Sequence, residues 1–374
     1  MVLVRSISLF SGAGGMDVGF VNAGFEPVWA NDIDKDACKT YSLNHGNIIR
    51  CGCVEDWMHE LNSIDDIDCV FGGPPCQGFS VAGKMDLNDP RSQLVMSFME
   101  VVRRVKPKCF VMENVKSLAL LSKFESFRSE LRRKANEYGY LTDLIVLNAS
   151  DYGVPQARER MFFVGMLEEF DKRQFRSFLE LRKVRARTVR ETLQGLPKPG
   201  EVGNEHVCNA KITIASKPVL RKSPYAGMMF NGQGRPLKLD GYASTLPASM
   251  GGNRTPIVDE AALYESREEW IHGYHSHLLE GGEPNGFKSA PSYLRRITVD
   301  EALALQSFPK GYLLHGRQSA LYRQIGNAVP CELAHAVADV MRYLLESNKT
   351  ILKEERKQPL RSFSYEPEQA AFQL

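Results

Sequence analysis

The chain has 374 residues, 43% hydrophobic and 25% charged, with a formal net charge of +2. These values suit a packed chain of one large domain and a smaller one, and they exclude a low-complexity or strongly charged polymer. No apolar run reaches the roughly 18 residues of a membrane-spanning helix, and Met1 to Arg5 lead into strand-like sequence without the regions of a signal peptide. A cytoplasmic protein with no membrane partner is expected.

Eight cysteines are scattered along the chain, so reduced thiols are expected rather than a disulfide framework. Cys51 and Cys53 stand too close together for a zinc pair, and His272, His275 and His277 have only Cys208 remotely near, so no metal is expected. Charge is unevenly spread: from Arg182 to Arg254 there are thirteen Lys or Arg against four Asp or Glu. Such a local excess fits a polyanion, and equally a solvated basic surface.

In chain order, "RSISLF" reads as a strand, "GMDVGFVNAG" as a helix ended by Gly24, and "FEPVWAND" as a second strand. Leu94, Phe98, Val102 and Val105 fall at helical spacing until Pro107, and "CFVMEN" follows as an apolar strand. Phe124, Phe127, Leu131, Ala135 and Tyr138 give another amphipathic helix, closed by Gly139, before the strands "LTDLIVLN" and "MFFVG". This rhythm predicts an α/β fold with a doubly wound, mostly parallel, Rossmann-like sheet in residues 1–187, of which 171–187 form a basic helix. From 188 to 292 the sequence turns to Gly, Pro, Ser and Asn with short β-prone pieces such as "KITIAS", predicting a smaller loop-rich β domain. Residues 293–347 return to the first domain: Thr298 and Glu301 form a capping box, and Pro330 starts a helix with Leu333, Val337, Val340 and Leu344 on one face. Residues 348–374 read as a tail.

Gly12, Gly14 and Gly15 lie between the first strand and first helix, where they permit a tight turn and let a ligand approach the helix N-terminus. The spacing departs from a dinucleotide fingerprint, because Asp17 takes the third glycine position, and no Lys-Ser or Lys-Thr pair marks a phosphate loop. Asp32, twenty residues after Gly12, could accept from ribose hydroxyls, and Asp56 from an adenine amino group, which together favour an adenosine-containing ligand. Cys76 follows the strand "DCVFGG" behind Pro74 and Pro75, and is expected at the carboxyl edge of the sheet. Glu113 ends the next strand, while Arg158 and Arg160 flank another.

A thiol, a carboxyl group and guanidinium groups beside an adenosine site suit one problem in particular. C5 of cytosine is a weak nucleophile until a thiolate adds to C6. A carboxyl group at N3 and a cation on the base carbonyl or its phosphate would relieve the developing charge. The methyl donor for such a carbon would be S-adenosylmethionine.

The blocks "LFSGAGGMDVGF", "NDIDKDACKTY", "GGPPCQGFS", "FVMENV", "DYGVPQARER", "RRITVDEALALQSFP" and "YRQIGNAVP" stand in the order of the bacterial restriction-modification DNA cytosine-5 methyltransferases, which the chain resembles from about Ser8 to Pro330. The resemblance implies that Cys76 is the nucleophile, Glu113 the N3 partner, and Arg158 and Arg160 active-site cations. It further implies a site for S-adenosylmethionine, which leaves as S-adenosylhomocysteine. Phe10, Ser11, Gly12, Ala13, Gly14 and Gly15 would form one side of it. Asp32, Ile33, Asp56, Trp57, Pro74 and Leu94 would form a second, and Asn327, Ala328 and Val329 a third. Residues 188–292 match the target-recognition domain, with Thr245 and Leu246 as its Thr-Leu pair and Arg254 among its DNA contacts. The Gln77 to Gln93 loop, with Ser80 and Arg91, matches the segment that closes over flipped DNA. Departures from the pattern are Asp32 for the usual Glu, Glu55-Asp56-Trp57 for Gly-Asp-Ile, and Val299-Asp300 for Pro-Arg.

The implied partner is double-stranded DNA, with a monomer acting alongside a cognate endonuclease that shares its target. Three rival readings remain at this point. The same chemistry could serve a structured RNA, and the fold could persist in a binding protein without catalysis. A nicotinamide dehydrogenase would share the glycine loop but leaves the Pro-Pro-Cys bend without a role.

Overall fold

The computed structural model describes residues 3–75, 90–167, 169–265, 267–286 and 290–355. Its main sheet uses the strands Val4–Leu9 (β1), Phe25–Asp32 (β2), Ile49–Cys51 (β3), Cys69–Gly72 (β4), Cys109–Val115 (β5), Leu141–Asn148 (β6) and, after the short Gln156–Ala157 (β7), Glu159–Met166 (β8). The order across the sheet is β3-β2-β1-β4-β5-β8-β6. Every pairing is parallel except those of β8, which runs antiparallel to both β5 and β6. The expected mostly parallel, doubly wound sheet is therefore present. Strand order reverses beside β1, so the crevice of such a fold lies at the carboxyl ends of β1 and β4.

The strands are apolar on both faces because both are covered. Along β5, Cys109 and Val111 enter one buried cluster while Phe110 and Met112 enter the other. The first cluster lies under the helices Gly15–Asn22 (α1), Lys172–Leu181 (α7) and Cys331–Glu355 (α13), which contribute Phe20, Phe175, Leu333, Val337, Val340 and Leu344. The second lies under Pro90–Val105 (α4) and Glu125–Glu137 (α6), which contribute Phe98, Val102 and Leu131. Each fully buried side chain of this size contributes about 1.5–3 kcal/mol. The helix starting after Pro330 continues to Glu355, past the residue 348 at which the tail was expected to begin. The basic helix expected over 171–187 ends at Leu181, because Val184 instead bridges to Tyr152.

Further elements frame this core. Lys35–His45 (α2) is capped by the Asp34 carboxylate, which accepts from the Asp36 and Ala37 amides. Val54–Trp57 (α3) and Lys116–Leu120 (α5) are short helices at the carboxyl edge of the sheet. The loop-rich stretch holds the helices Val189–Leu193 (α8), Glu260–Tyr264 (α9) and Trp270–Leu279 (α10). Its short strands are Ile214–Val219 (β9), Met228–Phe230 (β10), Ala243–Ser244 (β11) and Ile257–Asp259 (β12), the last pairing with Leu294–Arg296 (β13). The helices Val299–Leu305 (α11) and Gln318–Asn327 (α12) then lead the chain back. Among the described residues, no helix is long and apolar enough to cross a membrane.

The expected capping box at α11 is formed, with Thr298 Oγ1 accepting from the Glu301 amide and Glu301 from the Thr298 amide. Glu301 is fully buried and also accepts both arms of Arg295, at 2.8 and 2.7 Å. Removing Glu301 from this buried fork leaves Arg295 with only the Glu260 carboxylate, at 3.2 Å. Glu301→Ala is therefore expected to destabilise the protein by about 3 kcal/mol, read as a lower urea midpoint by circular dichroism.

Candidate active site

After Leu9 the chain turns through Phe10, Gly12 and Gly14 with φ of 53°, 55° and 82°. A positive φ is strained for a residue as bulky as phenylalanine, so the turn must be held from outside. Ser11 N–H donates to the Asn31 carbonyl at 3.0 Å, and Gly12 N–H donates to Asp32 Oδ2 at 2.7 Å. The other oxygen of Asp32 accepts the Asp34 amide at 2.8 Å. Burial pushes the Asp32 carboxyl above the usual carboxylate range, and these two amides oppose it.

At the end of β4 a Cβ on Gly72 would lie 2.1 Å from the Leu9 carbonyl oxygen, and one on Gly73 would lie 3.1 Å from Glu113 Oε2. The two glycines thus let the chain pass between β1 and the end of β5. Pro74 is buried, and its carbonyl accepts from Asn114 Nδ2 at 3.1 Å. Cys76 and Ser80 lie outside the described residues, as does the side chain of Arg91.

Glu113 is 8% exposed and pairs through Oε1 with Arg160 Nε at 2.8 Å. Burial raises its pKa, against Arg160 and then Arg158. Because β8 is antiparallel, its first residues reach the edge at which β5 ends, with Arg160 opposite Val115. Arg158 lies in the same cleft and is also held by backbone carbonyls. It is 2% exposed, and its guanidinium donates to the carbonyls of Leu246 at 3.3 Å and Gly326 at 3.0 Å. It ties the Thr-Leu loop to the end of α12. Leu246, expected at the DNA, is 1% exposed and belongs to a buried cluster, so its side chain is not available to DNA in this conformation.

These elements surround a cleft of about 1500 Å³. Its wall holds Phe10, Ser11, Gly12, Ala13, Asp32, Ile33, Pro74, Leu94, Glu113, Arg158 and Arg160. Thr245, Leu246, Arg254, Asn327, Ala328 and Val329 complete the predicted residues found there. Four others are not on the wall. Asp56 is exposed near the end of α3, Trp57 lies beside it, and Gly52, Cys53, Val54 and Glu55 line the cleft instead. Gly14 and Gly15 face α2 and the returning chain: Cβ atoms there would meet His45 Nε2 at 2.5 Å and the Val329 carbonyl oxygen at 2.6 Å.

The wall also carries two cations that no sequence pattern singled out. Lys116 pairs with Glu159 at 2.6 Å, and Arg323 with Asp34 at 2.8 Å. The three clustered histidines go to separate partners: His272 to the Tyr225 hydroxyl, His275 to the Arg221 carbonyl and His277 to the Glu283 carbonyl.

A glycine turn, a half-buried aspartate and a buried carboxyl-guanidinium pair share one cleft at the switch point, the place where an enzyme of the α/β class binds its ligands. The chain belongs to the C-5 cytosine-specific DNA methylase family, whose pattern matches residues 4–342. It is 32% identical to the type II methyltransferase M1.HphI of Haemophilus parahaemolyticus, over 90% of this chain and 86% of that one. It is 33% identical to the type II methyltransferase M.MthTI of Methanothermobacter thermautotrophicus, over 91% and 97%. The fold is shared with the solved Entamoeba histolytica methyltransferase EhMeth, with a TM-score of 0.63 at 18% identity over 93% of this chain and 99% of that one.

A carboxyl whose folded pKa is raised binds its proton more tightly in the folded state, so it favours folding at low pH and loses that contribution as pH rises. Glu113→Gln removes this dependence. The variant is expected to gain stability relative to the parent as pH rises from about 4.5, the ordinary glutamate value, toward neutrality. Urea unfolding of both proteins at pH 5 and pH 8 measures the difference, and an unchanged gap would refute the assignment.

Proposed function

We propose that this DNA cytosine-5 methyltransferase acts on a cytosine rotated out of duplex DNA, with Cys76 as nucleophile, Glu113 at N3 of the base and Arg160 holding Glu113 in place. One observation carries the reading: the Glu113–Arg160 pair lies against Gly73, at the foot of the Pro74–Pro75 bend that leads to Cys76. C6 is unreachable within the base stack, so the base must leave it.

The residues of the cleft fit S-adenosylmethionine, the donor that the family's chemistry implies. A Cβ on Gly12 would meet no atom within 4 Å, so the turn leaves open space on that side. Each Asp32 oxygen accepts one backbone amide and keeps a second lone pair for a ribose hydroxyl. Phe10, Ile33, Leu94 and Val329 offer apolar surface to a purine. When bound, the cofactor supplies an electrophilic methyl group on a sulfonium.

The protein's own groups prepare the base. The Cys76 thiolate adds to C6, pushing electron density toward C5, while a protonated Glu113 meets N3 and limits the charge that builds there. Arg160 limits how far the Glu113 pKa can rise and orients the carboxyl. Once C5 is methylated, water takes the C5 proton, its electron pair re-forms the C5=C6 bond, and the C6–S bond breaks to release Cys76 as thiolate.

Residues 188–292 are read as the target-recognition domain. Arg254 and Thr245 bring it to the cleft wall, and its basic residues would hold phosphates while polar side chains read base edges. The relatives' type II names support a role in restriction-modification, protecting bacterial DNA from an endonuclease with the same target.

Incubation with labelled S-adenosylmethionine and cytosine-containing duplex should label C5. Cys76→Ser is expected to lower turnover by about 10⁴-fold or more and to abolish covalent capture by duplex containing 5-fluorocytosine. A fully active serine variant would end this reading. Asp32→Ala should weaken S-adenosylmethionine binding by about tenfold or more, measured by calorimetry.

A further inference from the structure

We propose that Tyr312 is a positioning residue for the methyl-donor site: its phenol, steadied by His45, fixes the Ala13 carbonyl and so holds the glycine turn in the shape that receives S-adenosylmethionine. The inference rests on the donor assignment made above. It adds a residue distant in sequence that acts through the turn and is not on the cleft wall.

Tyr312 lies in the strap between α11 and α12. Its hydroxyl donates to the Ala13 carbonyl at 2.5 Å, across 299 positions of sequence. That uses the only hydroxyl proton, so the same oxygen must accept from His45 Nε2–H, which lies 3.0 Å away. The imidazole is thereby fixed as its Nε2–H tautomer. Burial lowers the His45 pKa, against Asp17 and the Gly14 backbone, and raises that of the phenol, so the phenol keeps the proton that it donates to Ala13.

Gly14 shows how closely the pair sits. A Cβ there would lie 2.5 Å from His45 Nε2 and 2.8 Å from the Tyr312 oxygen, and its φ of 82° independently demands glycine. The pair fills the space behind the turn, while Ala13 faces the cleft. Asp17, fully buried under the same turn, accepts from the Tyr41 hydroxyl at 2.8 Å.

The strap is itself fixed. Leu313 N–H donates to Asn44 Oδ1 at 3.1 Å, Asn44 Nδ2 donates back to the Leu313 carbonyl at 2.8 Å, and His315 N–H donates to Thr40 Oγ1 at 2.8 Å. All three anchors are on α2, whose capping residue Asp34 also binds the Asp32 carboxylate. Two walls of the donor site are therefore set by one frame, and Tyr312 is the member that reaches the turn.

Tyr312→Phe deletes one oxygen and keeps the ring, which packs on Phe308 with centroids 4.7 Å apart. Calorimetry with S-adenosylmethionine and with S-adenosylhomocysteine is expected to show Kd raised about tenfold. The melting temperature, the KM for DNA and kcat at saturating donor should stay close to the parent values. In ligand-free protein, hydrogen exchange at the Gly12 to Val18 amides should quicken. His45→Ala should shift the same readings in the same direction by a smaller factor.

Unchanged Kd in both variants, or unchanged exchange at the turn, overturns the inference. So does a loss of donor affinity that only follows a fall in melting temperature. Parent protein that bound neither ligand would instead overturn the donor assignment, and the exchange result would then decide the inference by itself.

Discussion

The molecule depends on a few places where backbone meets backbone with no room for a side chain. A Cβ on Gly15 would lie 2.6 Å from the Val329 carbonyl oxygen, and one on Gly19 would lie 2.5 Å from both the Cys331 oxygen and the His335 nitrogen. These contacts seat α13 on α1 and bring Asn327, Ala328 and Val329 to the cleft. On the sheet, Gly72 performs the same service for β4 beside β1. In a close-packed interior a single methyl group at such a point must move an entire element, because nothing nearby can yield. The glycine turn, the end of β4 and the Asn327 to Val329 wall of the cleft are set by this constraint.

Two carboxylates on that wall show how one physical effect yields two behaviours. Burial raises the pKa of both Asp32 and Glu113. Asp32 is opposed by backbone amides, which do not titrate or move, so it remains a fixed acceptor. Glu113 is opposed chiefly by the side chains of Arg160 and Arg158, so its proton affinity responds to whatever enters beside it. A group that enters beside Glu113 therefore meets a carboxyl raised by burial and restrained by two arginines.

Much of this was legible from the amino-acid order, for identifiable reasons. "FEPVWAND" and "LTDLIVLN" match strands β2 and β6 residue for residue, because each is bounded by Gly or by a capping residue. The Thr298 and Glu301 box was readable because capping is a local interaction. What local pattern left open depends on distant partners. Arg158 lines the cleft and also reaches the Leu246 and Gly326 carbonyls, 88 and 168 positions away. Asp56 is exposed on the short helix α3, one residue beyond the cleft-lining Glu55. Gly14 and Gly15 turn the side where a Cβ would stand toward His45 and Val329, neighbours that no local spacing names.

The closure of α13 over α1 also bears on biosynthesis. The buried cluster in which Phe20 of α1 packs on Phe71 and Phe162 of the sheet stays incomplete until Leu333 to Leu344 emerge from the ribosome. The glycine turn likewise lacks its Tyr312 support until more than three hundred residues have been made. Contacts of such long sequence separation form late and leave apolar surface open to chaperones in the interval. An interrupted message would therefore yield a product with most of the recognisable motifs and without the α13 part of its core.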